Sequence, residues 1–217
     1  MRRPGGKGDH YRIKTISIVT SIVFGVIGCK QTRHEPSSGW LITVYYTAVE
    51  TYHAGPSAEV FGCPDSECAA EKQSLGRYPV GFADAVRDEG TGRITSGPHA
   101  GRYLNWSYNI GYWLENAPLD SRGEPLEPFV SAAADRDVLT MGSRFSVVGC
   151  GTTESGETPP SAVCAGITAA KWQIRDEFTP GLGGPRHIDL YIGEERGPEF
   201  RSDAWYISLR GASIVVG

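Results

Sequence analysis

Alternation of apolar and polar residues predicts that strands dominate this chain. Apolar side chains occupy every second position from Trp172 to Arg175, and the same spacing recurs from His187 to Ile192. Five of the six residues from Pro180 to Pro185 are Gly or Pro, so the chain must turn between these two segments. We therefore predict a strand, a glycine-rich turn and a second strand. The turn would bring the carboxylates of Asp176 and Asp189 to the same opening in the fold.

The same reasoning places further elements along the chain. Residues 39–49 are rich in β-branched and aromatic side chains and form the first predicted strand. Apolar residues at helical spacing predict a helix over 80–90, with Gly90 as its C-terminal stop. Further strands are expected within 131–148, 165–175, 205–209 and 212–216, with a hairpin loop at 150–164. Short strands of this kind fit a small closed barrel.

The N-terminal segment has a different pattern. Five basic residues and one acidic residue precede an apolar run at 16–28, which is typical of a secretory signal and is short for a membrane-spanning helix. The run ends in Val-Ile-Gly-Cys29, which resembles the bacterial lipobox. That resemblance implies cleavage before Cys29, lipid on its thiol and attachment to a membrane face. An ordinary signal peptide with a free cysteine is the alternative. Residues 29–38 are then a flexible tether.

Charge narrows the range of partners. The whole chain of 217 residues has 21 basic and 25 acidic residues; without residues 1–28 it has 16 and 24, a net charge of −8. Such a surface repels phosphate backbones, so we expect no nucleic-acid partner. The five histidines show no spaced cluster, and we expect neither a metal nor a cofactor.

Four cysteines remain besides Cys29. In an exported protein the local pairs are the natural choice, Cys63 with Cys68 and Cys150 with Cys164. A zinc site formed by the four thiolates is the alternative, although the spacing matches no zinc pattern known to us.

Three segments in the C-terminal half resemble the signature of the three-aspartate, or 3D, domain. In that family D-x-G-x-A-I-K-G leads into a strand of the form (H/R)-x-D-(L/I/F)-(Y/F)-x-G, and an upstream segment reads A-x-D-x-x-x-x-P-x-G-(T/S). The matching residues here are Asp135, Gly142, Ser143, Asp176, Gly181, Gly183, His187, Asp189, Leu190, Tyr191 and Gly193. The turn is longer than in the family, the proline is replaced by Thr140 or Met141, and the lysine is missing, with only Arg186 nearby.

This resemblance implies a mainly β fold, the six-stranded double-psi β-barrel shared with the murein lytic transglycosylase A family, rare lipoprotein A and expansins. The first-strand motif T-A-Y-T of the family would fall at Tyr46 and Thr47. The minimal pattern does not account for residues 53–128. We therefore predict a barrel over 39–217 with a loop-rich, partly helical insertion at about 53–128, after the first strand.

The insertion contains an aromatic cluster between Tyr103 and Trp113. Aromatic faces stack on sugar rings, so Trp106 and Trp113 are candidates for a glycan cleft beside the carboxylates. The alternative is that these rings form the core that holds the insertion onto the barrel.

The resemblance also implies an activity, that of a peptidoglycan lytic transglycosylase. Asp189 matches the acid that protonates the glycosidic oxygen and then takes a proton from the 6-hydroxyl of the muramic acid. Asp176 would either keep Asp189 protonated or hydrogen bond the substrate, and Asp135 would complete the set. Tyr46, Thr47, Arg186 and His187 are the candidate substrate-binding residues in the barrel. We expect a monomer in the bacterial cell envelope, anchored by lipid outside the cytoplasmic membrane. The alternative is a wall-binding or expansin-like module that uses the same groove without cleaving bonds.

Overall fold

The structure is a computed structural model that describes residues 35–68 and 71–217. These residues form twelve β-strands and two α-helices. The strands are β1 (Ser37–Val49), β2 (Ser57–Cys63), β3 (Gln73–Pro79), β4 (Thr91–Arg93), β5 (Tyr103–Ser107), β6 (Gly111–Glu115), β7 (Ser131–Ala133), β8 (Arg144–Gly149), β9 (Thr152–Thr153), β10 (Trp172–Asp176), β11 (His187–Glu194) and β12 (Leu209–Val216). The helices are α1 (Val80–Glu89) and α2 (Ser161–Ala169). The fold is mainly β, as the alternation predicted.

Strand β1 joins the two halves of the sheet. The twelve strands are hydrogen bonded in the order β3-β2-β6-β5-β4-β1-β11-β7-β10-β8-β12-β9. Over its 13 residues β1 pairs first with β12 (antiparallel), then with β11 (parallel), and its last two residues pair with β4 (parallel). Ile42 and Val44 are buried while Thr43 between them is not, because successive side chains of a strand point to opposite faces.

Six of the strands form a continuous circuit of pairings. It runs from β1 to β11, β7, β10, β8 and β12, and β12 pairs with β1. Ile42, Ile174, Ile188, Leu190 and Ile214 lie in its core, each at most 1% exposed. Burial of each of these side chains contributes about 1.5–3 kcal/mol. This core keeps β1, β10 and β11 in register, and these are the strands that carry the candidate site.

Residues between β1 and β7 form a second group of strands. The predicted helix is confirmed as α1, which ends at Gly90 in the left-handed conformation, but much of the predicted loop-rich insertion is strand, namely β2 to β6. A side chain at Gly92 of β4 would collide with Phe82 and Val86, so this glycine lets α1 pack directly on the sheet. Four of these five strands contain a glycine, which weakens the pattern expected of a strand.

Two C-terminal predictions were wrong. Part of the strand predicted over 165–175 is the helix α2, whose Val163 and Ile167 lie one turn apart and are both buried. Alanine favours helices, and Pro160 stands directly before the first helical residue, where its fixed φ suits a helix start. The strand predicted over 205–209 is a turn as far as Ser208, and β12 begins at Leu209.

Both predicted disulfides are present. Cys63 is bonded to Cys68, and Cys150 is bonded to Cys164, with Cα atoms 5.0 and 6.0 Å apart. The second bond ties the end of β8 to α2. Since all four thiols are used in these bonds, the alternative of a four-cysteine zinc site is excluded.

The predicted signal segment, Cys29 and residues 29–34 of the predicted tether lie outside the described residues. The last two residues of that tether, Ser37 and Ser38, belong to β1. Within the part of the chain that the structure describes, no helix is long and apolar enough to cross a membrane.

Candidate active site

Asp176 and Asp189 lie in one row across four strands. Asp189 of β11 is opposite Thr43 of β1 on one side and Ala133 of β7 on the other, and Ala133 is also opposite Asp176 of β10. Side chains that are directly opposite in paired strands share a face of the sheet. Only the methyl group of Ala133 therefore stands between the two carboxylates in this row. Because paired strands are about 4.8 Å apart, the aspartate Cα atoms are roughly 10 Å apart.

A β-bulge in β10 puts Asp176 into this row. Ile174 is opposite Ala132, but Asp176 is opposite Ala133, so two steps along β10 correspond to one step along β7. In a regular strand Asp176 would share the face of Ile174, which is buried in the core. The bulge moves the carboxylate to the opposite face, where Asp189 is.

The Asp189 carboxyl has a raised pKa. The Thr43 hydroxyl donates to Asp189 Oδ1 at 2.8 Å, and the side chain is only partly accessible to solvent. Burial is the main cause that raises the pKa of Asp189 to about 7, and the negative charge of Asp176 acts in the same direction. The hydrogen bonds from Thr43 and from the backbone N–H of Leu190 lower it. Near neutral pH this carboxyl is therefore partly protonated, as a general acid requires.

The Asp176 carboxylate is held by three donors. Backbone N–H groups of Ser121 and Glu177 each donate to Oδ1 at 2.8 Å, and the Tyr45 hydroxyl donates to Oδ2 at 3.3 Å. Burial raises the pKa of Asp176, the backbone donors lower it, and the charge of Asp120 raises it. Fixed donors of this kind orient the carboxylate and favour its charged form.

The His187 ring is on the other side of Thr43 from Asp189. Its Nε2 atom is 2.9 Å from Thr43 Oγ1, and its ring is stacked against Phe178 with centroids 4.5 Å apart. Burial lowers the pKa of His187, whereas the carbonyl groups of Gly183 and Leu182 raise it. His187, which was predicted to bind substrate, thus lies one hydroxyl away from Asp189.

Asp135 contacts the glycine-rich turn instead of the row. Its Oδ2 accepts a hydrogen bond of 2.8 Å from the backbone N–H of Gly184, and a Cβ atom on Gly183 would collide with the carboxylate. Its negative charge raises the pKa of His187, so the two groups are near neighbours. Asp135 therefore shapes the turn between the strands that carry Asp176 and Asp189.

An aromatic pair flanks the row along β1 and β11. Tyr45 and Tyr191 are opposite each other, have ring centroids 5.2 Å apart and form a small buried cluster with Leu126. The Thr47 hydroxyl is 2.5 Å from the Tyr191 hydroxyl. Because Ser121 also donates to Asp176, the segment between β6 and β7 covers this end of the row.

A groove opens beside Thr43. It has a volume of about 440 Å³ and is lined by Thr43, Val44, Thr153, Glu154, Ser155, Tyr206, Ile207 and Ser208. Most of these side chains can hydrogen bond, and Thr43 is both part of the groove wall and the donor to Asp189. Burial is the main cause that raises the pKa of Tyr206, and the negative charges of Glu89 and Asp189 act in the same direction. The groove is therefore next to the candidate acid.

Several predicted binding residues lie elsewhere. Tyr46 is 1% exposed, with its ring 4.8 Å from that of Phe200, and Trp113 is 3% exposed in the core of the second strand group. Trp106 is partly buried against the same core, and the guanidinium of Arg186 donates to the carbonyl of Ser38. Their surroundings favour packing roles, the alternative already given for the aromatic cluster. Thr47 is fully buried and reaches the site only through Tyr191.

The sequence analysis missed Thr43, Tyr45 and Ser121. Thr43 and Tyr45 alternate with the apolar Ile42 and Val44, so the strand pattern itself contained the signal that they share a face. Beyond Tyr45 the register with β11 shifts, because two steps along β1, from Tyr45 to Thr47, correspond to three steps along β11, and sequence alone does not locate this shift. No sequence signal marks the backbone N–H of Ser121.

Among the residues that the structure describes, no group of three His, Cys, Asp or Glu side chains could hold a metal ion. The chemistry of this site is that of two carboxyl groups with different partners.

Comparison with known proteins identifies the fold. No protein-family profile and no curated protein sequence matches the chain. Solved structures do match, among them MltA from Escherichia coli with bound chitohexaose, at 15% identity and a TM-score of 0.56, over 82% of this chain and 71% of that one. MltA from Neisseria gonorrhoeae matches at 11% identity and a TM-score of 0.54, over 83% of this chain and 75% of that one.

A membrane-bound lytic murein transglycosylase from Agrobacterium tumefaciens matches in the same way, at 13% identity and a TM-score of 0.52, over 83% of this chain and 75% of that one. At these identities the comparison speaks for the fold. The chain thus has a fold similar to that of the MltA lytic transglycosylases.

Proposed function

We propose that this protein cleaves the glycan strands of peptidoglycan as a lytic transglycosylase, with Asp189 as its acid and base. The observation that carries the proposal is the row of Thr43, Asp189, Ala133 and Asp176, in which a carboxyl with a pKa of about 7 lies beside a second carboxylate. The fold shared with lytic transglycosylases supports the same activity.

The reaction needs one proton, which Asp189 supplies and recovers. Protonated Asp189 gives its proton to the oxygen between the two amino sugars, and the bond from that oxygen to C1 of the muramic acid breaks. The 6-hydroxyl oxygen of the same sugar bonds to C1 and releases its proton to the Asp189 carboxylate. The products are a 1,6-anhydro end and a free 4-hydroxyl, so no water is consumed and one acid serves both steps.

Asp176 supports this cycle in the proposal. Its negative charge raises the pKa of Asp189, and the same charge stabilises the positive charge that develops at C1 when the bond breaks. By this proposal the sugar that reacts approaches over Ala133, which has the smallest side chain in the row. A larger side chain there would stand between the sugar and the two carboxylates.

We place the glycan in the groove beside Thr43. Its volume of about 440 Å³ and its hydroxyl-bearing lining suit a sugar with many hydroxyl groups. A solved structure of the same fold, that of Escherichia coli MltA, contains the oligosaccharide chitohexaose. By this proposal the sugar enters along the wall formed by Thr153, Ser155 and Ser208, and its glycosidic oxygen reaches Asp189.

The proposal extends to architecture and location. The circuit of six paired strands is the basis for assigning a double-psi β-barrel over residues 39–217. The lipobox-like segment supports a lipid anchor on Cys29 and, with it, an envelope location, and we expect the protein to act on the cell wall as a monomer.

Digestion of purified sacculi tests the activity. The wild-type protein should release soluble fragments, and Asp189→Asn should release at least 100-fold less while it still sediments with sacculi, because general acid catalysis is lost and the groove is intact. Release by neither form, with binding by both, would instead identify a wall-binding module. Undiminished release by Asp189→Asn would show that another residue is the acid.

A further inference from the structure

The Thr43 hydroxyl lies between two titratable side chains. Its oxygen is 2.8 Å from Asp189 Oδ1 and 2.9 Å from His187 Nε2. The hydroxyl has a single proton, so it donates to one of these neighbours and accepts from the other. The parallel register of β1 and β11 creates this contact, because it sets Thr43 beside Asp189 and Leu41 beside His187.

The surroundings of the ring indicate which neighbour accepts. Nε2 faces Thr43, while the carbonyl groups of Gly183 and Leu182 lie close enough to the ring to raise its pKa. Carbonyl groups favour an N–H, and the nitrogen left for them is Nδ1. The tautomer that suits these neighbours has its proton on Nδ1, so that the bare Nε2 is available to accept from Thr43.

We propose that Asp189, Thr43 and His187 form a proton relay in which His187 competes with the Asp189 carboxylate for the single proton of the Thr43 hydroxyl. In one state Asp189 O–H donates to Thr43, and Thr43 O–H donates to neutral His187. In the other state the proton of a charged His187 is on Nε2 and donates to Thr43, and Thr43 donates to the Asp189 carboxylate. The states interconvert by the shift of two protons along the chain, and no atom is left without a partner.

Burial favours the first of these states. It raises the pKa of Asp189 and lowers that of His187, so both side chains are driven toward their neutral forms. The titratable groups that face Asp189 are Tyr45, Asp176, Glu89 and Tyr206, and Asp135 faces His187. Among these groups the negative charge of Asp176 opposes the ionisation of Asp189. A titration would report pKa values that belong to Asp189 and His187 together, since the two groups share one hydroxyl.

The relay rests on the proposed function only in its expected effect on the rate of glycan cleavage. Transglycosylation starts from protonated Asp189, and the relay gives that carboxyl a path for proton exchange through the partly exposed His187. His187 is therefore a positioning residue: it orients the Thr43 hydroxyl and does not touch the substrate.

Substitutions at the two positions should move the pH profile in opposite directions. Thr43→Val removes the donor to ionised Asp189, so its pKa should rise. His187→Phe keeps an aromatic ring against Phe178 but leaves the Thr43 hydroxyl free to donate to Asp189, so that pKa should fall. We expect the alkaline limb of the cleavage rate to move up by about one pH unit in the first variant and down by about one in the second.

Two further variants complete the set. Thr43→Ser keeps the hydroxyl and should leave the alkaline limb at its wild-type position. The double variant T43V/H187F should behave like T43V alone, because His187 acts through Thr43. A merely structural role would lower the rate in every variant without moving the limb. That result, or limbs that move in the same direction in T43V and H187F, would overturn the relay.

A magnetic-resonance measurement tests the relay without any substrate. Long-range proton–nitrogen correlation of the ¹⁵N-labelled protein should show His187 as the Nδ1–H tautomer, assigned by its loss in His187→Phe. The Nε2–H tautomer would overturn the relay. If the tautomer is as expected and sacculi remain uncut by the wild-type protein, the proposed function fails and the relay stands.

Discussion

The Asp189 carboxyl illustrates how one residue can be placed for reactivity at the expense of stability. In the folded protein its pKa is raised to about 7 from an ordinary value of 3.8, mainly by burial. The folded protein therefore binds this proton more tightly than the unfolded chain does between about pH 4 and pH 7. Its contribution to stability is largest below that window and is lost as the pH rises through it.

Asp189→Asn should therefore stabilise the protein at alkaline pH while it abolishes cleavage. Relative to the wild type, the variant should gain about 2 kcal/mol in free energy of unfolding between pH 4 and pH 8, a value reduced for the partial exposure of the side chain. Chemical denaturation at the two pH values measures this gain. Asp137→Asn, at an exposed position, is the control and should show no gain. A stability difference independent of pH would contradict the assigned environment of Asp189.

The sequence allowed some of these residues to be predicted, for a physical reason. Asp189 alternates with Ile188 and Leu190, so a strand must turn it away from the core, and the resemblance to the 3D domain pointed to the same residue. Tyr46 was placed in the site where the structure has Tyr45. Tyr46 continues the alternation of Ile42 and Val44 and points to the core, whereas Tyr45 shares the face of Thr43 and reaches Asp176.

At the scale of elements, the turn between β10 and β11 depends on contacts with β7 and the residues that follow it. Asp135 lies two residues after β7 and accepts a hydrogen bond from Gly184 in the turn, so one carboxylate fixes the connection between the two strands that carry Asp176 and Asp189. The glycines of the turn could be predicted from the sequence. Their contact with Asp135 could not, because 49 residues separate the two partners.

Gly183→Ala should weaken both the fold and the activity. Its Cβ atom would collide with the Asp135 carboxylate, which must then leave the N–H of Gly184. We expect a loss of about 1–3 kcal/mol in free energy of unfolding, measured by denaturant titration, and slower cleavage of sacculi. Gly197→Ala is the matched control, because a Cβ there meets no atom within 4 Å. Equal effects of the two substitutions would contradict the role given to Asp135.

Helix α2 is an element that the pattern of apolar and polar residues did not predict. Short apolar runs are compatible with either a strand or a helix segment, and 165–170 contains too few polar residues to distinguish them. The observed segment is a helix in which Val163 and Ile167 lie one turn apart and are both buried.

At the scale of the whole molecule, the proposal combines a β fold with attachment to a membrane. The segment that would carry the lipid is recognisable in the sequence alone, from its basic start, its apolar run and Cys29. The second group of strands could be recognised only in part, because the resemblance to the 3D domain does not extend to residues 53–128. These strands join the rest of the sheet through the pairing of β4 with β1, which the sequence pattern does not reveal.

Substitution of the lipid-bearing residue tests the anchor. Cys29→Ser removes the thiol that would carry the lipid, so the protein should move from the membrane fraction to the soluble fraction of a bacterial host. Incorporation of a labelled fatty acid should be lost in the same variant. Equal membrane association of both forms would show that Cys29 is not the anchor.

The most direct measurement of the central claim is the mass of the fragments released from sacculi in water enriched in heavy oxygen. If Asp189 serves an internal attack by the 6-hydroxyl, the muramic acid ends should be 1,6-anhydro sugars that lack one water and contain no heavy oxygen. Ends that carry a heavy oxygen atom would show that water is the nucleophile, and they would contradict the transglycosylase account.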